Sequence, residues 1–394
     1  VGMPLGTTSA KTVYATTTFI VTKIADTNDG ACDADCSLRE AIIAANATPG
    51  DVIITLPSGT YTLSIAGTDE DLAATGDLDI ASNLTINGAG AGTTIVNGGG
   101  IDRVFHITGA YTVTLMNLTV SGGSYFVAPT GTGGGIYNAG GILTLIGVRV
   151  GSNNAYLSGG IYNLNGTVTI SNSTISNNFG LNGGGITNAS GTLTILNSTV
   201  SGNSAEGGGA GAGIQTFGTT NLNNVTITNN SVYLGSGAGI SGNANVKNTI
   251  IAGNTADNGN PDCQGILNSQ GYNLVQNTDG CTINGDTTGN ITGQNANLDL
   301  LEDNGGSTLT HALLPGSPAI DAGNPAAPGS GGNACEATDQ RGISRPQSIS
   351  CDIGSYEVAN STFNCANVTE IPQGECEALV ALYESTDGDN WYNN

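Results

Sequence analysis

The carboxylates, histidines and arginines of this chain fall into two groups that could run acid–base chemistry. The first holds Asp69, Glu70, Asp71, Asp77 and Asp79, followed by Arg103 and His106. The second holds His311, Asp321, Asp339, Arg341, Arg345 and Asp352. Glycoside hydrolysis needs two or three carboxylates converging on one face. Elimination needs a basic residue, often with acidic calcium ligands beside it. His106 follows Phe105 on an apolar strand, which is the setting of a structural histidine. No Ser or Cys nucleophile stands beside His311, and Asp339, Arg341 and Asp352 read as ion pairs tying loops together. Between the groups, from Thr112 to Ile250, the charged residues are Arg149, Glu206 and Lys247. Glu206 sits in a Ser-Ala-Glu-Gly-Gly-Gly loop with no carboxylate near it in sequence. The expectation is a chain that is not an enzyme, with no catalytic, cofactor-binding or metal-ligating residue assigned. Calcium remains only a weak option, because the acidic turn Asp26–Cys36 lacks alternate-position spacing and a closing bidentate Glu.

What would have to position these groups is a repeat spanning 133 to 254. Gly133-Gly134-Gly135-Ile136-Tyr137-Asn138 returns as Gly159-Gly160-Ile161-Tyr162-Asn163 and Gly183-Gly184-Gly185-Ile186-Thr187-Asn188. Looser copies follow at Gly211-Ala212-Gly213-Ile214 and Gly237-Ala238-Gly239-Ile240. The isoleucines recur after 25, 25, 28 and 26 residues, a period that marks a stacked solenoid. In the second half of each unit apolar residues alternate, as in Val168 and Ile170, and the next one comes five positions on, at Ile175. Alternation means a strand with one buried face. The Asn set midway suits a bend, because Asn tolerates left-handed backbone. Each unit therefore reads as one coil of a parallel β-helix. Asn117, Asn172, Asn197, Asn224 and Asn248 all lie three residues before the inward Val or Ile, with Gly147 breaking the row. At a coil spacing of about 4.8 Å their side chains are expected to form an amide ladder, each bonding the next.

Composition agrees. The 394 residues include 62 Gly, and 8 Lys+Arg against 31 Asp+Glu give a net charge of −23. That balance disfavours nucleic acid and anionic membrane surfaces, and no apolar run is long enough to span a bilayer. Val1 opens on a polar, Thr-rich stretch without a signal-peptide pattern, so a mature chain or one lacking its leader is expected. The eight cysteines fall outside the repeats as near neighbours: Cys32 with Cys36, Cys263 with Cys281, Cys335 with Cys351, Cys365 with Cys376. This reads as four local disulfides in an oxidising compartment, since no spacing matches a zinc site.

Residues 1–18 read as an extended arm, in which Val13, Tyr14, Thr16 and Thr18 could pair with a second copy. Residues 19–50 hold a strand and a helix opened by the capping box Ser37-Leu-Arg-Glu40. Its apolar face (Leu38, Ile42, Ala45) suits a lid over the first coil, because open strand edges invite pairing. Coils are expected over 51–270, a loop-rich module over 271–360, and a helical fragment over 361–394. A fragment of that kind cannot bury its own apolar face, so either the natural chain continues or the fragment packs elsewhere.

Cys36-Ser-Leu-Arg-Glu-Ala41, with the following helix and Leu-Pro-x-Gly-x-Tyr strand, resembles the CSLREA-type domain of bacterial secreted β-helix proteins. The Gly-Gly-Ile and Asn-x-Thr-Ile repeats are similar to those of polymorphic outer-membrane-protein-like surface proteins. Residues 271–357 resemble a choice-of-anchor Q module, carried by Asp303-Asn-Gly-Gly306, Thr310-His-Ala-Leu313, Gly316-Ser-Pro-Ala-Ile-Asp-Ala-Gly323, Asp339-Gln-Arg-Gly342 and Cys351-Asp-Ile-Gly354. Glu375–Trp391 resembles the start of a leucine-rich-repeat module. These resemblances imply an all-β, right-handed, single-stranded parallel β-helix, secreted or displayed at the cell surface. The expected role is structural, with self-association into a fibre or sheath. A carbohydrate-binding adhesin is one alternative, since Tyr125, Tyr137, Tyr156, Tyr162 and Tyr233 lie in corners or loops where glycans could dock. A polysaccharide lyase or glycoside hydrolase of the β-helix class is the other. The expected partners are therefore a second copy or surface glycans.

Overall fold

The computed structural model describes residues 16–68, 70–206, 211–359 and 371–385. Among them, 26 strands join one continuous parallel ladder, six short strands form a second, and an antiparallel pair stands apart. One coil shows the plan: Ile136–Ala139, a Gly corner, Ile142–Ile146, the Gly147 bend, Arg149–Gly151, then Asn154–Ala155. Each strand pairs in register with its counterpart one coil on, Ile136 with Ile161, Leu143 with Val168, Val150 with Ile175 and Ala155 with Gly180. Parallel strands joined by crossovers wind right-handed, and the chain is a right-handed parallel β-helix.

The core is the stack of inward residues. Ile136, Ile161, Ile186, Ile214 and Ile240 are fully buried, as are Val150, Ile175, Val200, Ile227 and Ile251. The bends Asn117, Asn172, Asn197, Asn224 and Asn248 take φ of 54°, 50°, 43°, 51° and 47°, and Gly147 takes 61°. The expected ladder among these five side chains is not what forms. A left-handed bend turns the side chain to the flank, where it meets whatever covers the flank. Asn197 Nδ2 donates to the Thr338 carbonyl at 2.6 Å, Asn224 Nδ2 to that of Gly354 at 3.2 Å and Asn248 Nδ2 to that of Asn333 at 3.1 Å. Two of the five bond a neighbouring coil rather than each other, Asn117 Nδ2 donating to Asn87 Oδ1 at 3.2 Å and Asn248 Nδ2 to Asn223 Oδ1 at 2.9 Å.

Amide ladders do run through the molecule, elsewhere. Asn153, Asn178, Asn203, Asn230 and Asn254 are buried, and each Nδ2 donates to the next Oδ1 at 2.9–3.0 Å. The row ends on Asp262, which accepts from Asn254 at 2.8 Å. A shorter row links Asn138 to Asn163 at 2.8 Å and Asn163 to Asn188 at 2.9 Å.

The helix α1, Leu38–Ala47, covers the first coil with Leu38, Ile42 and Ala45 buried, and both hydrogen bonds of its capping box are present. Thr17–Ile20 pairs with Val52–Leu56 of the same chain. Thr18 is thus spent within the fold, Thr16 precedes the strand, and Val13 and Tyr14 lie outside the described residues. At the other end, parallel pairing continues past 270 through Cys281–Asp286 and Ile291–Thr292, because those strands keep the apolar alternation of the coils.

Residues 296–358 then turn back and lie along the flank as a strap. Thr174 Oγ1 donates to Leu309 O at 2.6 Å, Thr199 Oγ1 to Gln340 Oε1 at 2.7 Å, and Glu336 N to Asn224 Oδ1 at 2.9 Å. Leu313, Ala319 and Ile353 of the strap pack with Ile250 and Leu274 of the coils. Disulfides join Cys32 to Cys36, Cys263 to Cys281 and Cys335 to Cys351. Cys365 lies outside the described residues, as does most of the 361–394 fragment; Gln373–Ser385 within it is helical.

Candidate functional site

The first charged group converges where the helix α1 meets the first coils. Arg39, fully buried, is the anchor. It grips both Asp26 oxygens at 2.7 and 3.2 Å and donates to the carbonyls of Ala73, Gly76 and Asp77. That pins the acidic loop 70–77 against the strand Leu78–Ile80. Asp79 then accepts the Ala73 N–H on Oδ2 at 2.9 Å and the His106 Nδ1–H on Oδ1 at 3.0 Å. Asp71 lies 3.5 Å from the same nitrogen and is largely exposed. Asp71, Asp79 and His106 offer one ligand atom each within 4.8 Å of one another. The two carboxylates are oxygen donors compatible with the weak calcium option, and the imidazole adds a nitrogen donor of the kind a transition-metal ion takes.

Beside this trio, Arg103 Nε donates to Asp77 Oδ2 at 2.7 Å. Burial, with Asp79 and Asp102 close by, pushes the Asp77 carboxyl up to about 7 against the opposing pull of Arg103. The Arg103 guanidinium also lies over the rings of Tyr125 and Tyr137, at 4.2 and 5.6 Å.

A row of outward side chains starts here and runs along the helix axis. Register places Asp79, His106, Tyr137, Tyr162, Thr187, Gln215, Ser241 and Gln264 in succession. His106 stacks on Tyr137 with centroids 4.8 Å apart and planes 9° apart, and Tyr137 meets Tyr162 edge-on at 5.8 Å. These rings use their faces on each other; Asp79, His106 and Thr187 are buried, and the edges open to solvent belong to the half-buried Tyr137, Tyr162, Gln215 and Ser241. Half-burial in it raises both tyrosine hydroxyls above their usual range. The row was legible in the paired Ile-Tyr-Asn motifs, but the addition of His106 needed the register across a loop of irregular length.

Of the other sequence candidates, Glu206 and His311 stand apart, while Asp321, Asp339, Arg341, Arg345 and Asp352 gather around Glu357 as an ion-pair and hydrogen-bond network that ties the strap's loops together. Glu206 is exposed beside residues outside the described set, and Asp69 is itself outside it. His311 is buried in the strap between Ser201 Oγ, 2.8 Å from Nε2, and the Asp299 carbonyl, 2.6 Å from Nδ1, and burial lowers its pKa. Arg341 pairs with Asp339, and Arg345 with Glu357, each at 2.7 Å. Burial and the Glu357 carboxylate push Asp352 up to about 7. Asp321 serves the same network, taking the Ser350 N–H. Among the tyrosines, Tyr125 is buried under Arg103, Tyr156 half-buried, and Tyr233 exposed.

Fold and site together define a disulfide-tied right-handed parallel β-helix with an ionic cluster at its capped end. Among solved structures, pectate lyase Pel9A matches at 16% identity and a TM-score of 0.41, covering 86% of this chain and 96% of that one. No family model and no curated protein matches the chain. The expectation that the chain is not an enzyme is corrected here. In this chain, acid and base groups scattered in sequence meet at Asp71, Asp79 and His106, with the Asp77–Arg103 ion pair beside them. Among the described residues no helix is long and apolar enough to cross a membrane.

Proposed function

We propose that this is an extracellular β-helix protein, of the CSLREA-type surface class, that binds a polysaccharide along the row from Asp79 through His106, Tyr137 and Tyr162 to Gln215. The observation that carries the reading is the continuous register of that row, in which Tyr137, Tyr162, Gln215 and Ser241 keep hydrogen-bonding tips partly open to solvent beyond the buried end at Asp79 and His106. One coil step is about 4.8 Å, comparable to the length of a pyranose ring, so successive sugars would meet equivalent groups. Imidazole, phenol, hydroxyl and amide tips are the groups that recognise sugar hydroxyls. Three disulfides suit an oxidising compartment.

Affinity electrophoresis through gels containing pectin, alginate, xylan or peptidoglycan fragments tests the reading. Retardation by at least one polymer is expected, reduced several-fold by Tyr137→Ala with Tyr162→Ala. Unchanged mobility in all four sinks the proposal. Product release in the same samples, with and without zinc or calcium, shows whether the bound chain is also cut and whether His106→Ala stops it.

A second reading, assembly of copies end to end, draws on the coil ends. Among the described residues, Thr17–Ile20 and Cys281–Asp286 each have one ladder neighbour, lie in the same strand row and run the same way. Such a contact is heterologous and need not close. Light scattering that finds only monomer at high concentration removes it.

A further inference from the structure

We propose that Lys247 and Asn223 form an intramolecular isopeptide bond, Nζ to Cγ, that locks two successive coils together beneath the strap. The two residues are direct register partners on neighbouring strands. Parallel neighbours lie about 4.8 Å apart with side chains on the same face, so the long Lys side chain can bring Nζ over Cγ. Asn223 is buried and its amide is engaged on both sides. Nδ2 donates to Glu336 Oε1 at 2.6 Å and to the Ala334 carbonyl at 3.3 Å. Oδ1 accepts from Asn248 Nδ2 at 2.9 Å. Lys247 Nζ now rests on the Gly332 carbonyl of the strap, and burial lowers its pKa below the ordinary lysine value against the pull of Glu336.

These are the parts an amide exchange needs. Glu336 takes a proton from the Lys247 ammonium, and the freed lone pair forms the Nζ–Cγ bond. The oxyanion developing on Oδ1 is held by the Asn248 amide, a donor already aimed at that atom. Glu336 passes the first proton to Nδ2, making it a leaving amine, and then takes a second proton from Nζ, which the departing ammonia picks up as ammonium. The Cγ–Nδ2 bond breaks with its electron pair on nitrogen and ammonia leaves. Starting from a lysine ammonium and a neutral amide, the products are one secondary amide and one ammonium ion, with no oxidant, metal or cofactor required. Neither the coils nor their amide ladders explain why one of the few cations of the central coils stands opposite an asparagine whose amide nitrogen is held by a glutamate.

The test is the mass of the full-length, fully reduced chain. A deficit of about 17 Da, the mass of ammonia, is expected, with a branched peptide joining the segments around 223 and 247. Asparagine ring closure also loses ammonia, so Lys247→Arg separates the two. This variant and Glu336→Gln, each checked for native circular dichroism, are expected at full mass. A wild-type chain at full mass overturns the proposal, as does a deficit that persists in Lys247→Arg.

Discussion

Two rows of asparagines run the length of this molecule on the same period, and they do opposite jobs. The row at 117, 172, 197, 224 and 248 is there for its backbone: each residue holds the left-handed bend, and at 197, 224 and 248 the amide reaches outward to the strap. The row at 153, 178, 203, 230 and 254 is there for its side chains, buried and bonded rung to rung. Glycine stands in the first row at 147 and supplies the left-handed turn at no steric cost. It could not stand in the second, where a missing amide leaves buried partners unmet. Residue type and spacing mark a position as required; burial decides which half of the residue is required.

Substitution should separate the two rows. The largest effect is expected for Asn203→Ala, which removes an acceptor for Asn178 and donors to Ile175, Ser201 and Asn230. A loss of about 3 kcal/mol or more is expected in denaturant unfolding. A loss under about 1 kcal/mol would mean that water replaces the rung. Next comes Asn172→Ala, for which left-handed strain alone predicts about 1–2 kcal/mol. Asn172→Gly keeps the bend and should stay within about 0.5 kcal/mol. Equal costs for the two would show that the Asn172 side chain, rather than its φ, is what the bend needs.

The smallest effect is a matter of pH, and it falls at the capped end rather than on either row. Burial pulls the Glu40 carboxyl up. The Ser37 N–H at 2.7 Å, the Thr27 hydroxyl at 2.8 Å and the Asp29 N–H at 3.2 Å outweigh it and hold the group at about 2. The unfolded chain therefore binds the proton more readily, and the contribution of Glu40 is complete above its ordinary value near 4.5 and lost as pH falls through about 2. Glu40→Gln should be less stable than wild type at pH 7, with the difference vanishing toward pH 2. Hydrogen exchange should place the change at Leu38–Ala47 while the amide ladders keep their protection.

The coils and the cap were legible because their signals are local. A five-residue step around an Asn needs only the tolerance of Asn for positive φ, and Ser37 with Glu40 is a capping box on its own terms. The buried ladder left a signal too: Asn153, Asn178, Asn203, Asn230 and Asn254 each follow the inward Val or Ile by three residues. It was masked by an asparagine-rich background in which twelve Asn-x-Ser/Thr triplets occur. The ionic cluster was half legible, since its residues could be named but the contact of Asp79 with His106 depends on pairing across a coil. The strap was not legible at all, because nothing local in 296–358 says that it folds back along the bends.

That strap also sets an order of events. Coil-to-coil contacts close loops of about 25 residues, whereas Leu309 reaches back 135 residues and Ser355 reaches 156. Loops that long close late, after the surface they meet has been built. A chain made from its N-terminus can stack coils on the capped end as they emerge. The strap can join only once the coils around 174–248 stand in register. Its docking then reads the spacing of the finished stack, and a coil lost or slipped would leave Gln340, Glu336 and Asn324 without their counterparts. The strap thereby closes over the coils around 174–248 only when their spacing matches its own.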